Sequence, residues 1–437
     1  MGGGQRRNIV MEVFGAALEA AAPYRAVLRS LQAEPVPQDT GRIFVVGAGK
    51  AGAAMSRAAE EVLAGHIAGG LVIVKDGHRD TGGAPLSRVK LVEASHPVPD
   101  ERGIEGATEL LRLVEAAEEG DLVLCLISGG GSALLTAPAE SITLADMQAT
   151  TGMLLRAGAT INELNTVRKH LSAVAGGQLA MRAAPARVLA LILSDVTGSP
   201  LDVIASGPTV PDLTGFGDAL VVFERYALQD KLPPSVLERI RRGASGEIAD
   251  TPGPDHPVFR RVENRLVASN VIAVEAAALR ASELGLDTLI LSTYLEGEAR
   301  EVGTALAGIA KEIAAYGRPV QRPGCLLFGG ETTVTVRGDG VGGRNTELAL
   351  GAALALEGWG ADLVVASLAT DGGDGSSPSA GAIADGTSVE RGKTLGLDAS
   401  YALARNDSYT YWRAVGDAIL TGPTGTNVND VMAVFVF

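Results

Sequence analysis

The run Asp121-Leu-Val-Leu-Cys-Leu-Ile127 is apolar at every position after the first and opens directly into Ser128-Gly-Gly-Gly-Ser132. A strand with one wet face alternates polar and apolar side chains, whereas an unbroken apolar run suits a strand covered on both faces. The pattern recurs at Arg42-Ile-Phe-Val-Val46, Gly70-Leu-Val-Ile-Val74 and Arg187-Val-Leu-Ala-Leu-Ile-Leu193, with an Ala-rich helical segment from Lys50 to Leu63 between the first two. Buried strands that alternate with helices imply an α/β architecture built on a mostly parallel sheet wrapped by helices.

Between Arg241 and Pro257 the chain changes character, with Gly243, Gly246, Pro252, Gly253 and Pro254 marking a linker. The alternation then resumes. Val271 to Leu284 and Glu298 to Ala315 read as helices; Thr288 to Leu291, Cys325 to Phe328, Leu363 to Leu368 and Met432 to Phe437 read as strands. At 437 residues the chain has room for two domains. The expectation is a Rossmann-like α/β domain at 1–245 and a second α/β domain at 258–437, each with a mostly parallel sheet. Whether the last strand returns to the first domain is left open.

A hydrophobic content of 46% with 20% charged residues excludes a disordered chain. The net charge of −14 argues against nucleic-acid binding, and it demands a locally basic site for any anionic substrate. Cys125 and Cys325 sit in apolar runs and read as buried hydrophobes, not as a disulfide or zinc framework. No segment resembles a signal peptide or a membrane span, so a cytoplasmic protein is expected, its oligomeric state open.

Glycine-rich loops at strand ends carry the remaining signal. Gly47-Ala-Gly-Lys-Ala-Gly52 has the G-x-G-x-x-G spacing of a dinucleotide fingerprint, and Asp76 follows near where a ribose-binding acid would lie. Lys50 inside that loop instead points a cation at the mouth of the sheet. Ser128 to Ser132 offers Gly129, Gly130 and Gly131 between hydroxyls, a nest for a phosphate or carboxylate. Asp195 closes the strand that begins at Arg187, and Asp371 and Asp374 share a Gly-rich loop whose spacing is not that of an EF-hand. Gly329-Gly-Glu331 presents a carboxylate, and Gly342-Gly-Arg-Asn345 presents Arg344 and Asn345 at a helix start, where free N–H groups attract anions. His96, flanked by prolines, reads as a loop anchor.

Taken in order, Val45 to Ala51, Ser95 to Asp100, Ile127 to Ala133, Val167 to Ser172, Ser194 to Val196, Ala205 to Thr209, Gly329 to Thr332, Gly342 to Asn345, Asn406 to Tyr409 and Gly422 to Asn427 resemble the glycerate 2-kinase family. Its C-terminal half is called the MOFRL domain, and its members are often labelled hydroxypyruvate reductase. The resemblance implies two α/β domains with the active site in the cleft between them. It also implies ATP- and Mg²⁺-dependent phosphorylation of D-glycerate at the 2-hydroxyl, giving 2-phosphoglycerate, with Lys50 and Arg344 as catalytic cations. On that reading Glu331 orients Arg344 or binds a hydroxyl. The loops at Gly47, Gly49, Ser128 to Ser132 and Asn345 hold anions, and Asp195, Asp371 or Asp374 carries Mg²⁺. The alternative is an NAD(P)H-dependent hydroxypyruvate reductase using the first loop. A non-catalytic sensor would explain the anion loops but not the combination of cations with several carboxylates.

Overall fold

The computed structural model describes residues 2–437. It separates into two compact units, one made of residues 23–194 and 199–267, the other of the described residues up to 22 with 195–198 and 268–437. This division differs from the two consecutive stretches expected from sequence. The N-terminal helix Gly3–Ala21 packs on the helix Asn270–Glu283. It therefore belongs with the C-terminal half of the chain, which no linker composition announces.

The first unit holds strands β1 (Ile43–Ala48), β2 (Ile67–Lys75), β3 (Val89–Ala94), β4 (Leu122–Ile127), β5 (Arg187–Leu193) and β6 (Val262–Ala268). They lie in the order β3-β2-β1-β4-β5-β6. The pairs β1–β2, β1–β4, β2–β3 and β4–β5 are parallel. The apolar runs of β1 and β4 are buried at every position, as unbroken runs require. In this order the chain reverses its direction of travel between β1 and β4, so the loops that follow those two strands flank a switch point, where α/β sheets bind ligands. A separate apolar cluster, including Leu164, Phe216, Phe223 and Ile240, is built by the helices inserted after β4 and β5.

The second unit holds β7 (Asp287–Leu295), β8 (Gly324–Gly330), β9 (Gly360–Ala369), β10 (Gly381–Gly386), β11 (Ala418–Ile419) and β12 (Asp430–Val436), ordered β11-β10-β9-β12-β8-β7. Here the expectation of a mostly parallel sheet needs correction. Only β7–β8 pairs parallel; β12 runs antiparallel to both β8 and β9, and β10 is antiparallel to β9 and β11. Burial on both faces produces continuous apolar runs whatever the strand direction, so the pattern that identified the strands was silent about their pairing. The last strand stays in this unit, at the centre of its sheet. One face of that sheet, through Leu326, Phe328, Val365, Met432 and Val434, packs with the helices Ala299–Tyr316 and Arg344–Leu356.

The antiparallel insertion positions the site. Asp430, the first residue of β12, lies opposite Gly330 and Ala369, the last residues of β8 and β9. The beginning of one strand and the ends of two others thus meet at one edge of the sheet.

Candidate active site

In the first unit, the loop after β1 is held against the loop after β4. Lys50 N donates to Gly129 O at 2.9 Å and Ala51 N to Ser128 Oγ at 3.1 Å. Gly49 N donates to Ile73 O at 3.0 Å and Gly52 N to Gly49 O at 3.1 Å. A dinucleotide pyrophosphate would need those N–H groups, and they are spent inside the protein. The fingerprint spacing has a different cause. A Cβ on Gly47 would fall 2.0 Å from Leu126 O, and one on Gly49, whose φ is +145°, would fall 2.0 Å from Ser128 Oγ. Gly47, Gly49 and Ser128 thus close the two loops on each other.

The side chains left over make an electropositive group. Lys50 has no ion-pair partner among the described residues. The space beside Gly130 is bounded by Lys50 and His96, whose atoms lie 3.5 and 3.0 Å from where a Cβ would stand. Burial, then the charges of Lys50, Lys75 and His78, push the His96 imidazole below its ordinary value. His96, read from sequence as a loop anchor, therefore stands beside the candidate cation in its neutral form. Ser132 Oγ lies 2.9 Å from Ser206 Oγ, which donates to Asn165 Oδ1 at 3.3 Å. Ala205, Ser206 and Gly207 all have left-handed φ values of 50°, 59° and 62°, and strain of that kind in non-glycine residues persists only where the surroundings impose it.

In the second unit, Arg344 opens the helix Arg344–Leu356 and stands between two carboxylates. Its Nε donates to Asp430 Oδ2 at 2.6 Å and its Nη2 to Asp430 Oδ1 at 3.0 Å. Its Nη1 donates to Glu331 Oε1 at 2.7 Å. Burial works to lower the Arg344 pKa, but Asp430 and then Glu331 hold it above the ordinary value. Burial pushes the Asp430 carboxyl up to about 6 against the pull of Arg344 and Asn345, so both partners are ionised at neutral pH.

At the helix N-terminus, where an anion was expected from sequence, two of the backbone donors are taken within the protein. Asp374 is their acceptor: Oδ1 accepts from Asn345 N and Nδ2 at 2.9 and 3.2 Å, and Oδ2 from Thr346 N and Oγ1 at 2.8 and 2.7 Å. Gly343 permits this approach, because a Cβ there would lie 2.3 Å from the Asp374 carbonyl carbon. Asn345 is buried, with Nδ2 also donating to Asp430 Oδ1 at 3.1 Å and Oδ1 accepting from Ser367. An internal carboxylate thus occupies two of the donors foreseen for a ligand.

Arg344, Glu331, Asp371 and Thr197 line a cleft of about 1040 Å³ within this unit. Asp371 is exposed, with Oδ1 accepting from Gly373 N at 3.0 Å. Asp195, two residues before Thr197, is counted in the same unit. Among the described residues no three or more His, Cys, Asp or Glu side chains are grouped to hold a metal. The motif around Asn406 also finds its task. Asn406 Oδ1 accepts from Arg337 N and Gly338 N at 2.7 and 3.0 Å, and Asp407 Oδ1 from Val341 N at 2.9 Å. These bonds fix the loop that leads to Arg344. Asp430 was missed by sequence reading. It is the first residue of an apolar strand, and only strand register brings it to Arg344.

A doubly wound sheet with a lysine-bearing glycine loop at its switch point, and a second sheet presenting an arginine among carboxylates, define an enzyme class that handles small anions. Comparison narrows the class. Residues 9–241 match the family model described as domain of unknown function DUF4147, and residues 324–430 match the MOFRL family. Glycerate 2-kinase of Pyrococcus horikoshii is 43% identical, the alignment covering 98% of this chain and 97% of that protein. Glycerate kinase of Homo sapiens is 38% identical over 90% of this chain and 84% of its own. A crystal structure of glycerate kinase from Thermotoga maritima is 42% identical and superposes with a TM-score of 0.92, covering 99% of this chain and 100% of that one. The chain belongs to the glycerate 2-kinase family.

Proposed function

We propose that this protein transfers the γ-phosphoryl group of ATP to the 2-hydroxyl of D-glycerate, giving 2-phosphoglycerate. The relatives named as glycerate kinases support this reading. The hydroxypyruvate reductase name occurs among the relatives only provisionally. The observation that carries the choice is the spent set of N–H groups at the first glycine loop, which leaves a nicotinamide dinucleotide without its pyrophosphate donors while leaving Lys50 unpaired.

Phosphoryl transfer needs positioning and charge stabilisation more than covalent chemistry. Lys50, an unpaired point charge, and Arg344, a fork with one edge towards the cleft, are the cations proposed to neutralise the phosphoryl oxygens. Gly130, beside Lys50 and His96, and Ser132 are proposed to hold an anionic group of one substrate; the Gly131 N–H donates to Ser128 O at 3.2 Å and closes the loop. Mg²⁺ arriving with ATP keeps much of its water and asks for only one or two protein carboxylates, so the lack of a protein cage is compatible with it. Asp371, exposed on the cleft, fits that requirement, and Asp374, with four hydrogen bonds from the helix start, does not; Asp195 is the second proposed carboxylate, on its place in the same unit. Bound Mg²⁺ would supply charge neutralisation between the phosphates.

No helix among the described residues is long and apolar enough to cross a membrane. Cys125 and Cys325 are free and buried, which supports a reducing cytoplasm as the proposed location. The decisive experiment incubates the protein with D-glycerate and MgATP, and separately with hydroxypyruvate and NADH or NADPH. NMR then resolves the phosphoglycerate isomers. Formation of 2-phosphoglycerate is expected. Exclusive 3-phosphoglycerate, or nicotinamide oxidation without ADP formation, would overturn the assignment.

A further inference from the structure

The two carboxylates on Arg344 differ in every property that governs whether they can move. The Asp430 side chain is completely buried and bonds two nitrogens of the guanidinium, at 2.6 and 3.0 Å. Its Oδ1 also accepts from Asn345 Nδ2 at 3.1 Å. Its main chain is paired with β8 on one side and β9 on the other, and its carbonyl accepts from Asn270 Nδ2 at 2.9 Å. Asn270 fits there because residue 329 is glycine: a Cβ on Gly329 would lie 1.6 Å from Asn270 Oδ1. Moving Asp430 means opening the centre of a sheet. Glu331 is the opposite case. Its side chain is 45% exposed, it begins the loop after β8, and its carboxylate has one described bond, to Arg344 Nη1. A single ion pair half in water is weak and easily exchanged.

We propose that Asp430 is the positioning residue for Arg344, and that Glu331 is a placeholder whose site on Nη1 is taken by an anionic oxygen of the bound substrates. The buried bidentate pair fixes the plane of the guanidinium and turns the Nη1 edge towards the cleft. The pair also accounts for an arginine at this position, since a lysine cannot bond a carboxylate through two nitrogens while offering a third to a ligand. Arg344 bonds two carboxylates, Asp430 and Glu331, one more than its single charge balances, and the swing of Glu331 out of the site removes that excess from the guanidinium. Substrate binding thus exchanges one carboxylate for another anion and does not bring a cation out of water.

This inference rests on Arg344 meeting the transferred phosphoryl group. The test therefore includes Arg344→Ala beside Asp430→Asn and Glu331→Gln, with steady-state kinetics on D-glycerate and MgATP and thermal melts to establish folding. Arg344→Ala and Asp430→Asn are each expected to lower kcat by roughly a hundredfold or more, the usual cost of losing a positioned charge donor. The Asp430→Asn loss should appear in kcat with little change in KM. Glu331→Gln should lower KM for one substrate several-fold, because a neutral amide competes poorly for Nη1. Millimolar guanidinium should partly restore Arg344→Ala, whose Asp430 still holds the cation, and should not restore Arg344→Ala/Asp430→Asn. A role confined to stability would leave that rescue unchanged. If folded Arg344→Ala keeps wild-type turnover, the functional reading of Arg344 fails. If Arg344→Ala is inactive while Asp430→Asn keeps wild-type kcat, only the positioning role fails. Should Asp430→Asn not fold, guanidinium rescue of Arg344→Ala decides: absence of rescue overturns the inference. A Glu331→Gln loss of kcat as deep as that of Arg344→Ala overturns the placeholder role.

Discussion

The loop around Lys50 and the helix start around Arg344 look alike in sequence: each pairs glycines with a cation at the end of an apolar strand. The structure treats them in opposite ways. Around Lys50 the backbone donors are consumed between two loops, and the cation is left unpaired near His96, whose imidazole burial and the charges of Lys50, Lys75 and His78 hold below its ordinary value. Around Arg344 the cation itself is gripped by Asp430 and Glu331, and two of the helix donors, Asn345 N and Thr346 N, are taken by Asp374. A lysine left in an electropositive setting attracts an anion through charge. An arginine held by a buried carboxylate offers direction, one defined edge of a planar fork. Glycine at such loops admits another segment of the same protein as readily as it admits a ligand.

The largest expected effect tests whether both arrangements matter. Lys50→Ala and Arg344→Ala should each lower kcat by roughly a hundredfold to a thousandfold while the fold persists by circular dichroism. Arg344→Lys should recover little of that loss, whereas Lys50→Arg should recover more if Lys50 acts only as a charge. Equal rescue at the two positions would mean that the two cations act in the same way.

Asp374→Ala should act through stability. It leaves the buried donors of Asn345 and Thr346 without acceptors, at an expected loss of roughly 2–4 kcal/mol, read as a lower denaturation midpoint. The Mg²⁺ concentration for half-maximal activity should not change by more than the fall in folded protein explains. A selective rise in that requirement in folded enzyme would return Asp374 to the metal site.

The acid limb of activity should report Asp430. Burial pushes its carboxyl up to about 6, and the charged groups acting on it are Arg344 and Asp374, with Glu331 on the far side of Arg344. It is ionised above that value and grips Arg344; protonation below it releases the fork. Activity should therefore fall as pH drops through about 6. Stability has the opposite sign, because a raised carboxyl pKa means that the folded state binds the proton more tightly than the unfolded one. The contribution is present below the unfolded value and is lost as pH rises through about 6. A kcat profile flat from pH 5 to 7 would separate Asp430 from turnover.

Arg42→Ala should have the smallest effect. Arg42 bonds Asp121 through Nε and Nη2 at 3.1 and 2.7 Å, at the opposite end of β1 from Lys50. A slight fall in melting temperature with unchanged kcat and KM is expected. A kinetic defect would show that any nearby cation affects the reaction and would weaken the comparison.

Much of this was legible in the chain. Continuous apolar runs identify β1, β4, β5, β8, β9 and β12 because burial on both faces leaves no room for polar side chains. Glycines at strand ends marked the loops that gather Lys50 with Gly130, and Arg344 with Glu331 and Asp371. What the chain did not reveal is which groups satisfy which. Asn345 and Asp374 read as ligand groups because both carry free polar atoms in one dimension; in three they satisfy each other. The helix Gly3–Ala21 packs on residues far away in sequence, and no local propensity records that choice.

The sequence by itself determined the α/β class, the strands, the loops that carry chemistry and the family, because these depend on local pattern and on ordered motifs along one chain. The tertiary structure alone decided that β12 runs antiparallel between β8 and β9, and with it that Asp430 faces Arg344. Strand direction and register are settled by pairing energies between distant segments. A buried carboxylate at the head of an apolar strand has no meaning until those segments meet.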